Sequence, residues 1–441
     1  MQHPSAQEEI SHRRVLNIAV PVVISNATVP LLGAVDTGVV GQMGAAAPIA
    51  AVAIGANILS SLYWIFGFLR MGTTGLAGQA FGAGDQAEGD ALLARALVIA
   101  ALGGVLCMIL SVPILWIVAN VIAPAPEVTE MATTYIAIRI WSAPAAVAIF
   151  GVIGWLVALE RTRGVLVLQV WMNGLNILLD LWFVLGLGWG VGGVAFATLI
   201  AEWSGLALGL WFCRDALRRP HWLNWGLVSD RVRLLRMMLV NMDILIRSVL
   251  ILAALQMFVL VFSARFGTVT LAANQVLLQF LFITSYALDG FAFSVEALVA
   301  RAVGLRRADL VGRATALNGV WALGACILLT VCFWVFGESL IALMATSEAV
   351  RGEAGQYLPW LVATPILAVG AFVLDGVFIG ATRSVDMRNM MIVSFVIYCV
   401  ALAALVPVFE NHGLWAALLV FYVARGLTLA WRYPRVVAAT R

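Results

Sequence analysis

Carboxylic acids lie inside several long apolar runs of this 441-residue chain, where an ionised side chain is costly. Six of them are Asp36, Asp180, Glu202, Asp289, Glu296 and Asp375. Such an acid usually pairs with a cation, exchanges a proton or binds an ion, so each is a candidate functional residue. Two cations in the same runs are expected to be paired or to extend toward the membrane surface, namely Arg70 and Arg139.

Asn173, Asn176 and Asp180 share one face of a predicted helix, because they follow the spacing i, i+3 and i+7. A polar stripe of this kind cannot face lipid, where its groups would lack partners. Thr198 lies on the next apolar segment, which a short Gly-rich loop folds back beside the first. With Asp36 these residues predict a cluster of two carboxylates, one or two amides and a hydroxyl.

Two neighbouring carboxylates in such a site tend to keep at least one proton near neutral pH, because burial and mutual repulsion disfavour double ionisation. That proton can be exchanged when the site opens to water, and the same oxygens could instead hold Na⁺. A structural polar network that joins the helices is the alternative interpretation. Pro21 predicts a kink in the helix that carries Asp36, either static or dependent on its protonation.

The second half of the chain has its own intramembrane acids. Asp289 and Glu296 are seven residues apart on one helix face, and Asp375 lies on a later span. Arg247 can neutralise one of them, so a structural ion pair and a coupling site are both compatible with the pattern. Glu202, one turn after Thr198, is a further secondary candidate near the membrane surface.

The elements that carry these residues are apolar helices. The chain is 63% hydrophobic and 11% charged, whereas soluble proteins are roughly 45–50% apolar and about 25% charged. This excludes most soluble enzymes, nucleic-acid binders and disordered proteins. A bilayer core about 30 Å thick needs about 20 apolar residues per helix. We predict twelve spans near 15–41, 47–81, 92–122, 132–159, 164–187, 191–213, 237–266, 271–303, 312–344, 357–381, 389–409 and 412–432.

The arginine distribution predicts the orientation of these spans. With the N-terminus in the cytoplasm, twenty arginines fall in cytoplasmic segments and only Arg265 and Arg351 on the opposite side. Arginine is enriched in cytoplasmic loops of membrane proteins, so both termini are expected in the cytoplasm.

The chain also contains an internal repeat. An Arg-rich loop near 214–236 separates six spans from six, and similar segments recur at an offset near 222, as in 79–82 and 301–304. An even number of spans per copy makes the copies parallel. The predicted fold is an all-α integral membrane protein with twelve transmembrane helices in two pseudo-symmetric six-helix bundles, 1–222 and 223–441.

Several segments of this sequence are similar to those of one transporter family. In the first half they are Ala19-Val-Pro21 with Asn26, Val35-Asp36-Thr37, Gly72 to Gly75, Gln79 to Asp85, Asn173 to Leu181 and Gly192 to Ala195. In the second half they are Leu288-Asp-Gly290, Glu296-Ala-Leu298 and Ala302-Val-Gly304. Over its whole length the chain resembles MATE (multidrug and toxic compound extrusion) transporters of the DinF-type branch.

The resemblance implies two bundles facing each other as a V, export by alternating access, and cation-coupled antiport. In the DinF-type branch the acidic cluster of the first lobe is the coupling site. Asp36, Asn176, Asp180 and Thr198 fall on its positions, and Pro21 on the kinking proline. The NorM-type branch differs, since it has an acid inside span 7 as part of a sodium site. In this chain, span 7 after Asp243 carries Arg247 and otherwise apolar or amide residues. Asp375 in span 10 is only a loose counterpart of that site.

The sequence therefore predicts a multi-pass exporter in a bacterial inner membrane, and not an enzyme. It is expected to expel small amphipathic, often cationic organic compounds in exchange for H⁺, with Na⁺ at Asp36 and Asp180 as the alternative ion. We expect no catalytic residue, cofactor, resident metal or nucleic-acid partner, and a monomer surrounded by membrane lipids.

Three other classes of membrane protein share parts of this pattern. A major-facilitator carrier usually has an arginine-rich motif after its second span, whereas the loop here reads GAGDQAEGD at 82–90. A flippase for lipid-linked sugars remains an alternative. A membrane-embedded enzyme would need converging catalytic groups, but the four histidines are scattered outside the predicted spans.

Overall fold

The computed structural model describes residues 9–43, 46–122, 125–219 and 224–440, and every regular element in these ranges is helical. A helix satisfies its own backbone hydrogen bonds, which lipid cannot do. The α-helices are α1 (His12–Gly41), α2 (Ala46–Trp64), α3 (Gly67–Gly82), α4 (Gln86–Ile117), α5 (Pro126–Arg139), α6 (Ala143–Ala158), α7 (Thr162–Asp180), α8 (Gly190–Phe212), α9 (Arg214–Leu217), α10 (Trp225–Val228), α11 (Arg231–Gln256), α12 (Thr268–Gly304), α13 (Ala308–Met344), α14 (Glu348–Gly380) and α15 (Ser384–Thr440).

Ten helical stretches among the described residues are long and apolar enough to cross a membrane. Helix α1, with 30 residues, is not among the ten but carries an uncharged run from Val15 to Ala34. Helix α15 is two helices in one, since Glu410 breaks it with φ 49° and ψ −125°. Counting α1 and this division, the described helices agree with the twelve predicted spans.

The predicted turns are found where glycine or a capping side chain permits them. Gly84 has a positive φ of 77°, which suits a residue without a Cβ. The following Asp85 caps α4 by accepting a hydrogen bond from the backbone N–H of Glu88 at 3.0 Å. Within α15, Gly413 lies so close to the Leu405 carbonyl that a Cβ would overlap it. This close approach permits the chain to reverse after Glu410.

Contacts divide the chain into two compact units. The first-half unit comprises the described residues of Ile24–Phe81 and Asp85–Met238. The second-half unit comprises those of Met1–Val23, Gly82–Gly84 and Leu239–Arg441. The predicted lobes 1–222 and 223–441 differ from these units, because the start of α1 packs with the second half. There Ala19 joins an apolar cluster with Leu288 and Phe291 of α12.

In the first-half unit, Arg95 of α4 holds the Arg-rich mid-chain segment. Its side chain is 1% exposed and donates to the carbonyls of Leu227 at 2.7 Å and Val228 at 3.0 Å. These carbonyls end the short helix α10 and would otherwise lack partners. Glu88 binds Arg95 at 2.6 Å and also contacts Arg233 at the start of α11. The mid-chain segment is thus attached to α4 by the buried hydrogen bonds of Arg95 and by the partly exposed ion pair between Glu88 and Arg233.

Each half contains a close helix contact of its own, and the two contacts are at equivalent positions. A Cβ on Gly154 of α6 would overlap the carbonyl oxygen of Arg70 in α3. A Cβ on Gly376 of α14 would lie 2.8 Å from the carbonyl oxygen of Ala292 in α12. Both members of the second pair follow those of the first at the predicted 222-residue offset. Each unit therefore repeats one backbone-to-backbone packing, which supports the predicted duplication.

Candidate functional site

The predicted polar stripe lies on the buried face of α7. Asn173, Asn176 and Asp180 are 6%, 2% and 0% exposed. Directly after Asp180 the helix widens into a π-helical turn, Leu181–Gly186. Such turns are frequent at functional sites, because they displace side chains from the regular helical register.

Two hydrogen bonds connect this stripe to neighbouring helices of the first-half unit. The Asn176 Nδ2 donates to the Thr198 Oγ1 of α8 at 3.1 Å, so the predicted neighbours do meet. The Asn173 Nδ2 donates to the Thr28 Oγ1 of α1 at 2.7 Å. Thr28 was not among the predicted site residues, although a hydroxyl eight residues before Asp36 was a signal for this link.

The first carboxylate of the predicted cluster, Asp36, lies in helix α1, but its side chain is outside the described residues. Around it, Val35 and Val39 of α1 belong to one apolar cluster with Val184 and Val194. The α1 segment that carries Asp36 therefore packs beside the end of α7 and the start of α8. Whether its carboxyl joins Asp180 stays a prediction.

One turn after Thr198, Glu202 forms an ion pair with Arg139. The Arg139 Nη2 lies 3.3 Å from the Glu202 Oε1, and the two side chains are 12% and 13% exposed. Arg139 also donates to the Tyr135 hydroxyl at 3.1 Å. This confirms the expectation that Arg139 is paired, and it shows Glu202 joining α8 to α5. Arg70 is also buried, on α3.

The second-half unit holds a different charged cluster. Asp375 of α14 is 3% exposed, and its Oδ2 lies 2.5 Å from both the Arg247 Nη2 of α11 and the Arg425 Nη2 of α15. We call these three residues the arginine cluster. Arg247 was predicted as a partner, whereas Arg425 was not among the predicted site residues. Its signal was an arginine followed by six uncharged residues in the last apolar run.

The remaining acids of this unit have separate settings. Glu296 is 1% exposed on α12, and α14 approaches its carbonyl so closely that a Cβ on Gly380 would overlap it. Asp289 is half-buried on the same helix. Asp243, which was not a predicted site residue, binds Arg388 at 2.5 Å and accepts a hydrogen bond from Ser384 at 2.7 Å.

Long apolar helices in two repeated units, with acids and arginines buried within them, define the architecture of a membrane transporter. The model of the MatE family matches residues 21–182 and again 245–405. The chain belongs to this family and is a MATE transporter, a multi-pass membrane protein. The double match agrees with the internal duplication.

Known proteins support this assignment. DNA damage-inducible protein F of Escherichia coli is 38% identical over 98% of this chain and 95% of its own length. This similarity agrees with the DinF-type resemblance. The chloroplastic protein DETOXIFICATION 44 of Arabidopsis thaliana is 27% identical over 95% of this chain and 81% of its own. The crystal structure of the Vibrio cholerae MATE transporter VcmN in the bent form matches with a TM-score of 0.87, at 20% identity and 97% coverage of both chains.

Proposed function

We propose that this protein exports small amphipathic organic compounds, cationic ones among them, in exchange for inward H⁺. The observation that carries the proposal is the burial of Asp180 on the face of α7 whose Asn176 is hydrogen-bonded to Thr198. A carboxyl group there can bind a proton while the site is closed and exchange it when the site opens to water. Na⁺ at Asp36 and Asp180 is the alternative coupling ion.

Coupling requires that the ion bind the two arrangements of the helices with different affinity. We assign this role to Asp36, Asp180, Asn176 and Thr198, with Pro21 as the bending point of α1. Asn173 supports the cluster through its hydrogen bond to Thr28 on α1. Because α1 contributes residues to both compact units, a change at Asp36 can alter how this helix connects them.

Among the secondary candidates, Glu202 is neutralised by Arg139 and Asp375 by two arginines. Asp289 and Glu296 are not assigned to coupling. We further propose that the protein resides as a monomer in a bacterial inner membrane, with both termini in the cytoplasm and membrane lipids around it.

The test is dye efflux from proteoliposomes under a pH gradient and a Na⁺ gradient, imposed separately. We expect the pH gradient to drive efflux, and Asp180→Asn or Asp36→Asn to abolish this response while the protein remains folded. Glu127→Gln makes the same chemical change at an exposed acid of α5 and should leave efflux intact. Dye efflux driven by the Na⁺ gradient alone would show that Na⁺, and not H⁺, is the coupling ion. Full efflux by both Asn variants would show that Asp36 and Asp180 do not form the coupling site.

A further inference from the structure

The arginine cluster has polar atoms with no partner. The Asp375 Oδ2 receives both guanidinium groups, but the Asp375 Oδ1, the Arg247 Nε and the Arg425 Nε have no hydrogen-bond partner among the described residues. The three residues are 3%, 8% and 3% exposed. Buried polar atoms are rarely left without partners, because neither the protein nor water then compensates their desolvation.

A second charged pair in the same unit shows what a complete ion pair looks like. Both carboxylate oxygens of Asp243 are used, one by Arg388 and the other by Ser384. Arg388 also donates to the Asn389 side chain at 3.0 Å and 3.1 Å. The arginine cluster differs from this pair because each of its members keeps an unused donor or acceptor.

The helix packing does not itself require these charges. Gly154 and Gly376 occupy equivalent positions, so Ile153 is the first-half residue that corresponds to Asp375. The segment that corresponds to Arg247 by the family match is uncharged at residues 23–25. The same helix arrangement is therefore built in the other half with neutral residues at these positions.

We propose that the arginine cluster binds the carboxylate of an amphipathic organic acid. Guanidinium groups present N–H donors in a geometry that matches carboxylates, and the three contacting groups carry a net formal charge of +1. Aromatic rings of Phe372, Phe421 and Tyr422 lie 5.5–5.8 Å from the Arg425 guanidinium carbon and supply an apolar surrounding. The unused Asp375 Oδ1 can accept a hydrogen bond from a hydroxyl or amine of the same ligand.

This inference extends the proposed function by naming a substrate class, and it rests on that function for access. The cluster is buried, so helices α11, α14 and α15 must separate during a transport cycle for a ligand to enter.

The test compares two probes of equal shape, 1-naphthaleneacetate and 1-naphthaleneacetamide, by calorimetric titration of the full-length protein in nanodiscs. We expect the acid to bind at least about tenfold more tightly than the amide, since charge-assisted hydrogen bonds are stronger than neutral ones. Equal affinity for acid and amide in the unmodified protein would overturn the proposal, whatever the variants do. Acetate is included to show whether the apolar ring of the probe contributes to affinity. If acetate binds as tightly as 1-naphthaleneacetate, the claim that the ligand is amphipathic is rejected.

Variants then locate the site. Arg425→Gln and Arg247→Gln should reduce acid affinity to that of the amide, whereas Arg247→Lys should keep part of the preference. Asp375→Asn should tighten acid binding, because it removes the carboxylate that competes for the arginines. Arg388→Gln removes the same charge from the complete pair and should change neither affinity. Unchanged acid affinity in folded Arg425→Gln and Arg247→Gln proteins would contradict the assignment.

Failure of this inference and failure of the proposed function are distinguishable. An acid preference in a protein whose efflux responds to neither gradient would retain the binding site and remove the antiport mechanism. Gradient-driven efflux in a protein without acid preference would retain the antiport mechanism and remove the carboxylate site.

Discussion

The buried aspartates of the two units have different neighbours. On α7, Asp180 shares its helix face with the amides of Asn173 and Asn176. On α14, Asp375 is held between two guanidinium groups. Neutral hydrogen-bonding neighbours suit a carboxyl that gains and loses a proton, and arginines suit one that stays charged. This contrast is why we assign coupling to the first and anion binding to the second.

A buried amide network gives a stability prediction at the same scale. The Asn274 side chain, 1% exposed, bonds to the side chains of Ser263, Asn411 and Trp415 at 2.7–3.1 Å. Asn274→Ala should destabilise the protein by about 1–3 kcal/mol, because buried polar partners lose their bonds. Thermal unfolding in detergent would measure this.

The adjacent Gln275 is exposed, so Gln275→Ala is the matched control and should leave the unfolding temperature unchanged. An equal unfolding temperature for both variants would show that the network contributes little.

Helices in each unit approach so closely that only glycine fits at some contacts. Gly154→Ala would press a methyl group onto the Arg70 carbonyl, and α3 and α6 would have to separate. Overpacking of this kind typically costs about 1–3 kcal/mol. We expect a lower unfolding temperature and a smaller yield of monodisperse protein.

Gly324→Ala on α13 is the control, and it is expected to raise the stability of the protein rather than lower it. A Cβ there has no atom within 4 Å, and alanine favours a helix over glycine by about 0.5–1 kcal/mol. Equal stability of the two variants would contradict the close contact at Gly154.

The whole molecule combines one repeated helix arrangement with two different polar clusters. The family model matches both halves, and the glycine contacts recur at the same offset. The amide and carboxyl stripe of α7 has a predominantly apolar counterpart in the second half, where 395–402 reads FVIYCVAL. The two halves thus share a helix arrangement and differ in the polar residues that it carries.

Orientation in the membrane is a prediction at this scale. The arginine distribution places the C-terminus in the cytoplasm and the connection at 345–347 on the opposite side. Green fluorescent protein fused after Arg441 should therefore fluoresce, and alkaline phosphatase fused within 345–347 should be active. An active phosphatase at the C-terminus would reverse the proposed orientation.

The sequence alone determined the helices and the stripe on α7, because apolar length and helical spacing are local properties of the chain. It also predicted that α7 and α8 are neighbours, since a short loop between two helices forces them to pack side by side. Only the tertiary structure showed that Arg425 and Arg247 converge on Asp375, that Arg95 holds the carbonyls of the mid-chain segment, and that residues 12–23 pack with the second half. These contacts join positions far apart in the chain, and helical periodicity states which face a residue occupies but not which helix that face meets.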